Sequence, residues 1–354
     1  MNIIYGVSGY GLGHSIRSKE IISHLKKEGH SVLIIAYGNS YSLLKSLNPL
    51  KIRGIELYTD KDKFSLIKTI LYNFRNVFKN LLNFKKIRNK IKEFKPDLFV
   101  TDFEPLTSLL SYSLNKPLIS LDNQQILRKI PFKPSKEDRF SYLLAKIATI
   151  VCVPKADRYI VLSFIEQKSE KKDTIFIEPI LREEVKKLKI KTKNKVLVYL
   201  SIHNSNLINI LKEIKNEKFV IYTNMPQESR DNLIFRKPGK DFIKDLSECK
   251  AIIATTGFNL ISESSFLMKP YFGIPFKGQF EQKLNALFLK KSNLGTFSEN
   301  PTKEQIISFL SNLKSYKLGI KTKRENKDGF KNIENVIESI KSDKYDSNKF
   351  SRFS

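Results

Sequence analysis

The chain repeats one three-part pattern in each half: an apolar run of strand length, a short turn containing glycine, then residues at helical spacing. In the first half, Asn2–Val7 leads into Gly9-Tyr-Gly-Leu-Gly-His14, and Ser15–Lys27 then sets Ile16, Ile21, Ile22 and Leu25 on one side. Gly29 supplies a helix stop, and Ser31–Ala36 is a continuous apolar strand of the buried parallel kind. Further strands are predicted at Leu98–Thr101, Leu118–Leu121 and Tyr159–Leu162. In the second half, Val196–Leu200 opens a new series with strands at Phe219–Tyr222, Ala251–Ala254 and Tyr271–Gly273. Helices fit Ser205–Lys215, Leu260–Leu267, Gln282–Lys290 and Lys303–Leu313. This alternation of strand and helix predicts doubly wound parallel sheets, the α/β class.

A length of 354 residues accommodates two such domains. The expected division is 1–182, a lysine-rich linker over 183–195, a second domain over 196–341, and a polar, frayed tail over 342–354. The last helix of the second domain is allowed to pack back on the first. The cleft between two halves of this kind is a natural ligand site.

Composition narrows the classes. A hydrophobic fraction of 41% supports packed cores and argues against disorder. Two cysteines, Cys152 and Cys249, make no disulfide framework and fit a reducing cytoplasm. The sequence runs from Met1 straight into a strand pattern, so no signal peptide is expected, and no run approaches the length needed to span a bilayer. The histidines His14, His24, His30 and His203 show no metal-ligand spacing, and no metal or cofactor is expected. A formal net charge of +27 draws the chain toward phosphate-rich partners, unless it reflects a compositional bias toward lysine.

The first glycine turn suits a ligand approached by backbone N–H groups at a helix N-terminus. A dinucleotide site would need a carboxylate closing the next strand, and that strand ends Ala36-Tyr37-Gly38-Asn39 instead. His14 stands where turn meets helix, and the helix dipole there favours a neutral imidazole that can act as a base. It could equally satisfy loop hydrogen bonds. Asp102, just past its strand in Thr101-Asp-Phe-Glu-Pro105, is the first candidate to orient it, with Glu104 second. Asp122 lies at the same sheet edge, and one of these carboxylates could cap a helix instead.

The second turn carries more. Ala254-Thr-Thr-Gly-Phe-Asn-Leu-Ile-Ser-Glu263 runs from a strand end through glycine into a helix, and Glu263 follows one turn later. Pro275 and Gly278-Gln-Phe-Glu-Gln282 come next, and the adjacent carboxylate and amide of Glu281 and Gln282 suit vicinal sugar hydroxyls.

Together these residues resemble the donor-binding motif of GT-B glycosyltransferases: Gly257-Phe258-Asn259, Ser262-Glu263, Pro275 and Glu281-Gln282 fall in that family's order. Gly9 to Arg17, reading Gly-x-Gly-x-Gly-His-x-x-Arg, is similar to the start of the bacterial transferases that add N-acetylglucosamine to lipid-linked muramyl peptide, and closer to their archaeal and bacterial relatives. Glu178-Pro-Ile-Leu-Arg182 fits the same group. The resemblance implies two Rossmann-like domains facing a central cleft, with an inverting, metal-independent transfer from a nucleotide sugar, the uridine diphosphate kind, to a glycan or lipid-linked hydroxyl. It implies that Gly257, Phe258 and Asn259 meet the diphosphate, Glu263 the ribose, and Glu281 and Gln282 the sugar. Phe242 and Ile243 would pack on the base, while Gly11, Gly13 and Arg17, with Glu104 and Asp122, would line the acceptor side. Ser201 and His203 stand where relatives place a second diphosphate loop, without the usual glycines, and Thr256 replaces a common glycine or serine.

Two further segments carry charge patterns of their own. Phe64–Lys92 holds no Asp or Glu and combines Lys68, Arg75, Lys79, Lys85, Lys86, Arg88, Lys90 and Lys92 with an apolar helical stripe. It reads either as ordinary packing helices or as a contact with an anionic membrane on the cytoplasmic side. Asp60-Lys61-Asp62 has the spacing of a metal-binding pair, but no strand delivers it to a cleft. Outside the transferase reading stand a sugar-nucleotide 2-epimerase and a non-catalytic binder of membrane or polyanion. No specific nucleic-acid partner is expected, since no recognition motif accompanies the charge.

Overall fold

The computed structural model describes residues 1–9, 11–54, 59–60, 63–64, 83–200, 204–225, 228–322 and 329–345. They form two compact units: Met1–Ile180 together with Lys327–Ser354, and Leu181–Asn326.

The first unit is built on a seven-stranded sheet: β1 (Asn2–Val7), β2 (Ser31–Ala36), β3 (Leu50–Lys51), β4 (Leu98–Asp102), β5 (Leu118–Asp122), β6 (Arg158–Leu162) and β7 (Thr174–Ile177). Their order is β3-β2-β1-β4-β5-β6-β7, and every neighbouring pair is parallel. Buried parallel strands have both faces covered, hence the unbroken apolar runs: Ile3, Ile4, Leu98, Phe99 and Leu118 are fully enclosed. Each such side chain contributes about 1.5–3 kcal/mol on burial. Helices α1 (Gly13–Lys27), α2 (Pro105–Ser113) and α3 (Arg139–Cys152) follow β1, β4 and β5. The strand order reverses between β1 and β4, so the chain leaves these two strands in opposite directions and opens a crevice at their carboxyl ends. Val7 of β1 stands in register with Asp102 of β4 at that edge.

The second unit repeats the plan with six strands: β8 (Val196–Leu200), β9 (Phe219–Thr223), β10 (Leu233–Arg236), β11 (Ala251–Ala254), β12 (Tyr271–Gly273) and β13 (Gly295–Phe297). They run β10-β9-β8-β11-β12-β13, again all parallel. Its helices include α4 (Ser205–Glu213), α5 (Asp241–Glu248), α6 (Phe258–Phe266), α7 (Phe280–Lys291) and α8 (Lys303–Ser311). One core joins Val198, Leu207, Leu211, Ile253, Phe272, Ile306 and Phe309. Thr302 caps α8 in a reciprocal box with Gln305, which fixes where that helix starts.

Residues 183–195, read from the sequence as a linker, belong to the second unit. Glu183–Lys186 is a short helix, Lys191 and Lys193 donate backbone N–H groups to the Ser247 and Glu248 carbonyls, and the Lys195 ammonium donates to Asp245 and Glu248. The second unit closes before 341, because helix α9 (Gly329–Tyr345) belongs to the first. There Phe330 stacks on His24, and Glu334 pairs with His24 and His30. Helix α9 also takes in 342–345 of the expected tail.

Candidate active site

The turn after β1 delivers His14 to the first helical turn of α1, with Gly11 at φ +69°, a left-handed conformation that glycine adopts without strain. His14 is buried, and its Nδ1 lies 2.7 Å from Asp102 Oδ1. Arg17 Nη2, which only donates, lies 2.9 Å from the same Nδ1, but the contact to the ionised carboxylate, which only accepts, is the shorter. It puts the proton on Nδ1 and leaves the lone pair of the neutral ring on Nε2. Gln124 Nε2 donates to that lone pair at 3.3 Å. The carboxylate of Asp102 is fully enclosed and accepts also from Arg17 Nε at 2.8 Å, Arg17 Nη2 at 2.5 Å and Ser18 Oγ at 2.8 Å. Burial by itself would raise this carboxyl, but Arg17 and His14 outweigh it and hold Asp102 far below the usual carboxylate range.

The turn that presents Asp102 is strained. Phe103 takes φ +57°, unusual for a bulky residue, and its ring stacks over His14 at 6.2 Å between centroids. Thr101 holds the turn shut: its hydroxyl donates to the Glu104 carbonyl at 2.8 Å and accepts from the Glu104 N–H at 2.9 Å.

Glu104 is occupied elsewhere. As the N-cap of α2 it accepts from the N–H groups of Leu106 and Thr107 and from the Thr107 hydroxyl. Asp122 accepts from Ser120 Oγ at 2.7 Å and from the Gln125 N–H at 2.8 Å. Burial, with help from the nearby Asp102 charge, pushes Asp122 up to about 6. Arg17 is as buried as Asp102 and also donates to Asn123 Oδ1, at 2.5 Å.

In the second unit, Gly257 is the N-cap of α6 and brings no side-chain cap. A β-carbon there would meet nothing within 4 Å, so open space fronts the helix N-terminus. Glu263 lies one turn on and is buried, with Arg182 donating from Nε to Oε1 and from Nη2 to Oε2, each at 2.6 Å. Gln282 Oε1 accepts from the Phe276 N–H at 3.2 Å, which ties Gln282 to the loop before α7. Thr256 donates its hydroxyl to the Gln282 carbonyl at 2.7 Å, and Asn285 Nδ2 donates to the Thr256 carbonyl at 3.0 Å. Phe242 lies edge-on to Tyr199 and Tyr222, and Ile243 beside it lines a cavity of about 790 Å³ with Arg182, Leu188, Lys189 and Lys240.

Residues 1–314 match the family model described as glycosyl transferase family 1. The chain belongs to that family. An uncharacterized glycosyltransferase of Methanosarcina mazei is 24% identical, over 87% of this chain and 88% of the relative. One from Methanosarcina acetivorans is 21% identical over the same shares. Among solved structures, LpCGTa in complex with UDP superposes with a TM-score of 0.71 at 12% identity, covering 96% of this chain and 99% of that one. Spinosyn rhamnosyltransferase SpnG complexed with thymidine diphosphate gives 0.60 at 12% identity, covering 91% and 95%. These likenesses, with two parallel sheets of the same strand order, make the fold GT-B. The epimerase and the non-catalytic binder give way to a glycosyltransferase.

In this family 1 glycosyltransferase the structure unites His14 with Asp102, as the sequence suggested, and adds Arg17 and Gln124 to them. Three assignments change. Glu104 does not orient His14, because its oxygens close the helix behind it. Arg17 does not line an acceptor surface, because its guanidinium points inward onto Asp102 and Asn123. Asp122 is turned into its own loop. In the sequence Arg182 stands out only as the end of Glu178-Pro-Ile-Leu-Arg182. Its grip on Glu263 spans 81 residues of sequence and left no local signal. Ser201 and His203 lie outside the described residues, as do Lys61, Asp62 and most of the basic stretch 64–92. Among the described residues no group of three His, Cys, Asp or Glu could hold a metal ion, and no helix is long and apolar enough to cross a membrane.

Proposed function

We propose that this glycosyltransferase is an inverting enzyme that moves a sugar from a uridine diphosphate donor to a hydroxyl of a glycan or lipid-linked acceptor without a metal ion. The observation that carries the reading is the His14–Asp102 pair at 2.7 Å, at the sheet edge where strand order reverses. With Nδ1–H donated to Asp102, Nε2 is the atom that takes the acceptor proton, the acceptor hydroxyl replacing the Gln124 amide on its lone pair. The acceptor oxygen then attacks the anomeric carbon from the face opposite the diphosphate. The bond from that carbon to the diphosphate oxygen breaks, the configuration inverts, and the nucleoside diphosphate leaves with the electron pair. Asp102 stays ionised and balances the imidazolium that forms.

The leaving diphosphate would be met by the N-terminus of α6, where Gly257 leaves the approach open and the helix dipole favours negative charge. Glu263 would take the ribose hydroxyls, and Glu281 with the amide N–H₂ of Gln282 the sugar. A nucleoside diphosphate donor is supported by the order of the second-unit motif and by structural neighbours that hold UDP and thymidine diphosphate; the choice of uridine rests on the motif alone. The test is a melting-temperature screen with nucleoside diphosphate sugars of each base. A ligand at about 100 times its dissociation constant adds about 2.7 kcal/mol. Stabilisation by a uridine diphosphate sugar, weakened in Glu263→Ala, is expected. Stabilisation by another base only, or by none, would overturn the donor assignment.

A further inference from the structure

Helix α3 is built inside out. Its outward face carries Phe140, Leu143, Ile147, Ile150 and Val151, all between 45% and 68% exposed. At 3.6 residues per turn these five lie within an arc of about 100°, a continuous apolar stripe over three turns. Its hydroxyl-bearing Thr149 and the thiol of Cys152 face inward instead. Helix α4 of the second unit shows the ordinary arrangement, with Leu207, Ile208 and Leu211 buried and Ser205, Asn206, Asn209 and Lys212 outward. The stripe is not a single stray side chain of the kind every surface tolerates.

The surroundings of the stripe indicate its partner. Helix α3 holds no Asp or Glu, and its two cations, Arg139 and Lys146, border one edge of the stripe. Residues 128–155 hold seven basic side chains against two acidic ones, Glu137 and Asp138; of the seven, Lys129 is paired with Asp173 and Arg128 donates to the Val153 and Pro154 carbonyls. A second copy of the chain is a poor occupant. Each copy carries +27, and five side chains on one helix fall short of the roughly 800 Å² per partner of a stable interface. An apolar strip edged by lysine and arginine matches an anionic lipid surface, where the strip enters the acyl boundary and the cations meet head groups.

We infer that the outward face of α3 docks this protein on an anionic phospholipid membrane, with the helix lying in the plane of the interface. The inference does not depend on the donor assignment.

The chain contains no tryptophan, so Ile147→Trp gives a single reporter in the stripe. The measurement is binding to vesicles of phosphatidylglycerol and phosphatidylcholine, against phosphatidylcholine alone. The expected result is binding to the anionic vesicles, a blue shift of the I147W emission, and its quenching by brominated acyl chains. The double variant Leu143→Ser, Ile147→Ser should bind about tenfold more weakly or worse while remaining folded at the assay temperature, its melting temperature lowered only modestly because each side chain is about half exposed. Absence of vesicle binding by the unsubstituted protein overturns the inference. So does undiminished binding by the double variant, which would move the contact to another surface. So does a dimer in solution that the double variant converts to monomer, which would assign the face to a second copy.

Discussion

Arg182 holds both oxygens of Glu263, Nε to Oε1 and Nη2 to Oε2, each at 2.6 Å. The Glu263 side chain is almost wholly enclosed and that of Arg182 largely so. A two-pronged guanidinium–carboxylate contact fixes direction as well as charge. Removing one partner strands the other charge away from water. Arg182→Met and Glu263→Gln should each cost about 3 kcal/mol, while the double variant should cost clearly less than their sum. Urea unfolding of the four proteins measures this. Additive losses would show that the contact contributes nothing to stability.

Asp102→Asn preserves shape but replaces an acceptor with a group that also donates. His14 Nδ1 then loses its reason to carry the proton, and the tautomer with a bare Nε2 is no longer favoured. Turnover should fall about 10²–10⁴-fold, while the melting shift given by the donor stays as it was. A matching loss of both would mark Asp102 as a folding residue only.

Asp122 offers a pH test whose sign is fixed by the direction of its shift. Its carboxyl, ordinarily near 3.8, sits at about 6 in the folded chain. The native state therefore holds this proton more tightly than the unfolded chain does. The resulting stabilisation is complete below the unfolded value and is lost as pH rises through the folded one, an effect of about 3 kcal/mol. An asparagine can accept from Gln125 and donate to Ser120 at every pH. The stability of Asp122→Asn relative to the parent should thus increase from pH 4 to pH 7.5, read by denaturant unfolding at each pH. A difference that does not move with pH would rule out titration of Asp122 in that range.

Glu104→Ala should destabilise the first unit by about 1–2 kcal/mol, since it removes the cap of α2. If Glu104 has no other part, donor binding and the pH profile of turnover should be unchanged. A shifted pH profile would return it to the reacting groups.

Periodicity and glycine turns revealed most of the central strands. Asn2–Val7, Ser31–Ala36, Val196–Leu200 and Ala251–Ala254 have the bounds read from the sequence, because strands covered on both faces are uniformly apolar. The strands Thr174–Ile177 and Leu233–Arg236 were not legible. They close one edge of their sheets and are only partly buried, so they carry a weaker apolar signal. In the site, His14 and Asp102 could be paired on the sheet-edge rule alone. Arg17 could not be placed, because its inward turn depends on Asp102, Asn123 and Ser18 meeting across three segments. Glu104 looked identical to a reacting carboxylate until the helix it caps was visible, since Glu-Pro at a strand end fits both roles.

The most direct test of the account is the rate at which His14→Ala releases nucleoside diphosphate from the nucleotide sugar that stabilises the protein. The account predicts a loss of about 10²–10⁴-fold with the donor's melting shift retained, because Nε2 takes a proton and does not hold the donor. Release at near the parent rate, in a variant that still binds the donor, would contradict it.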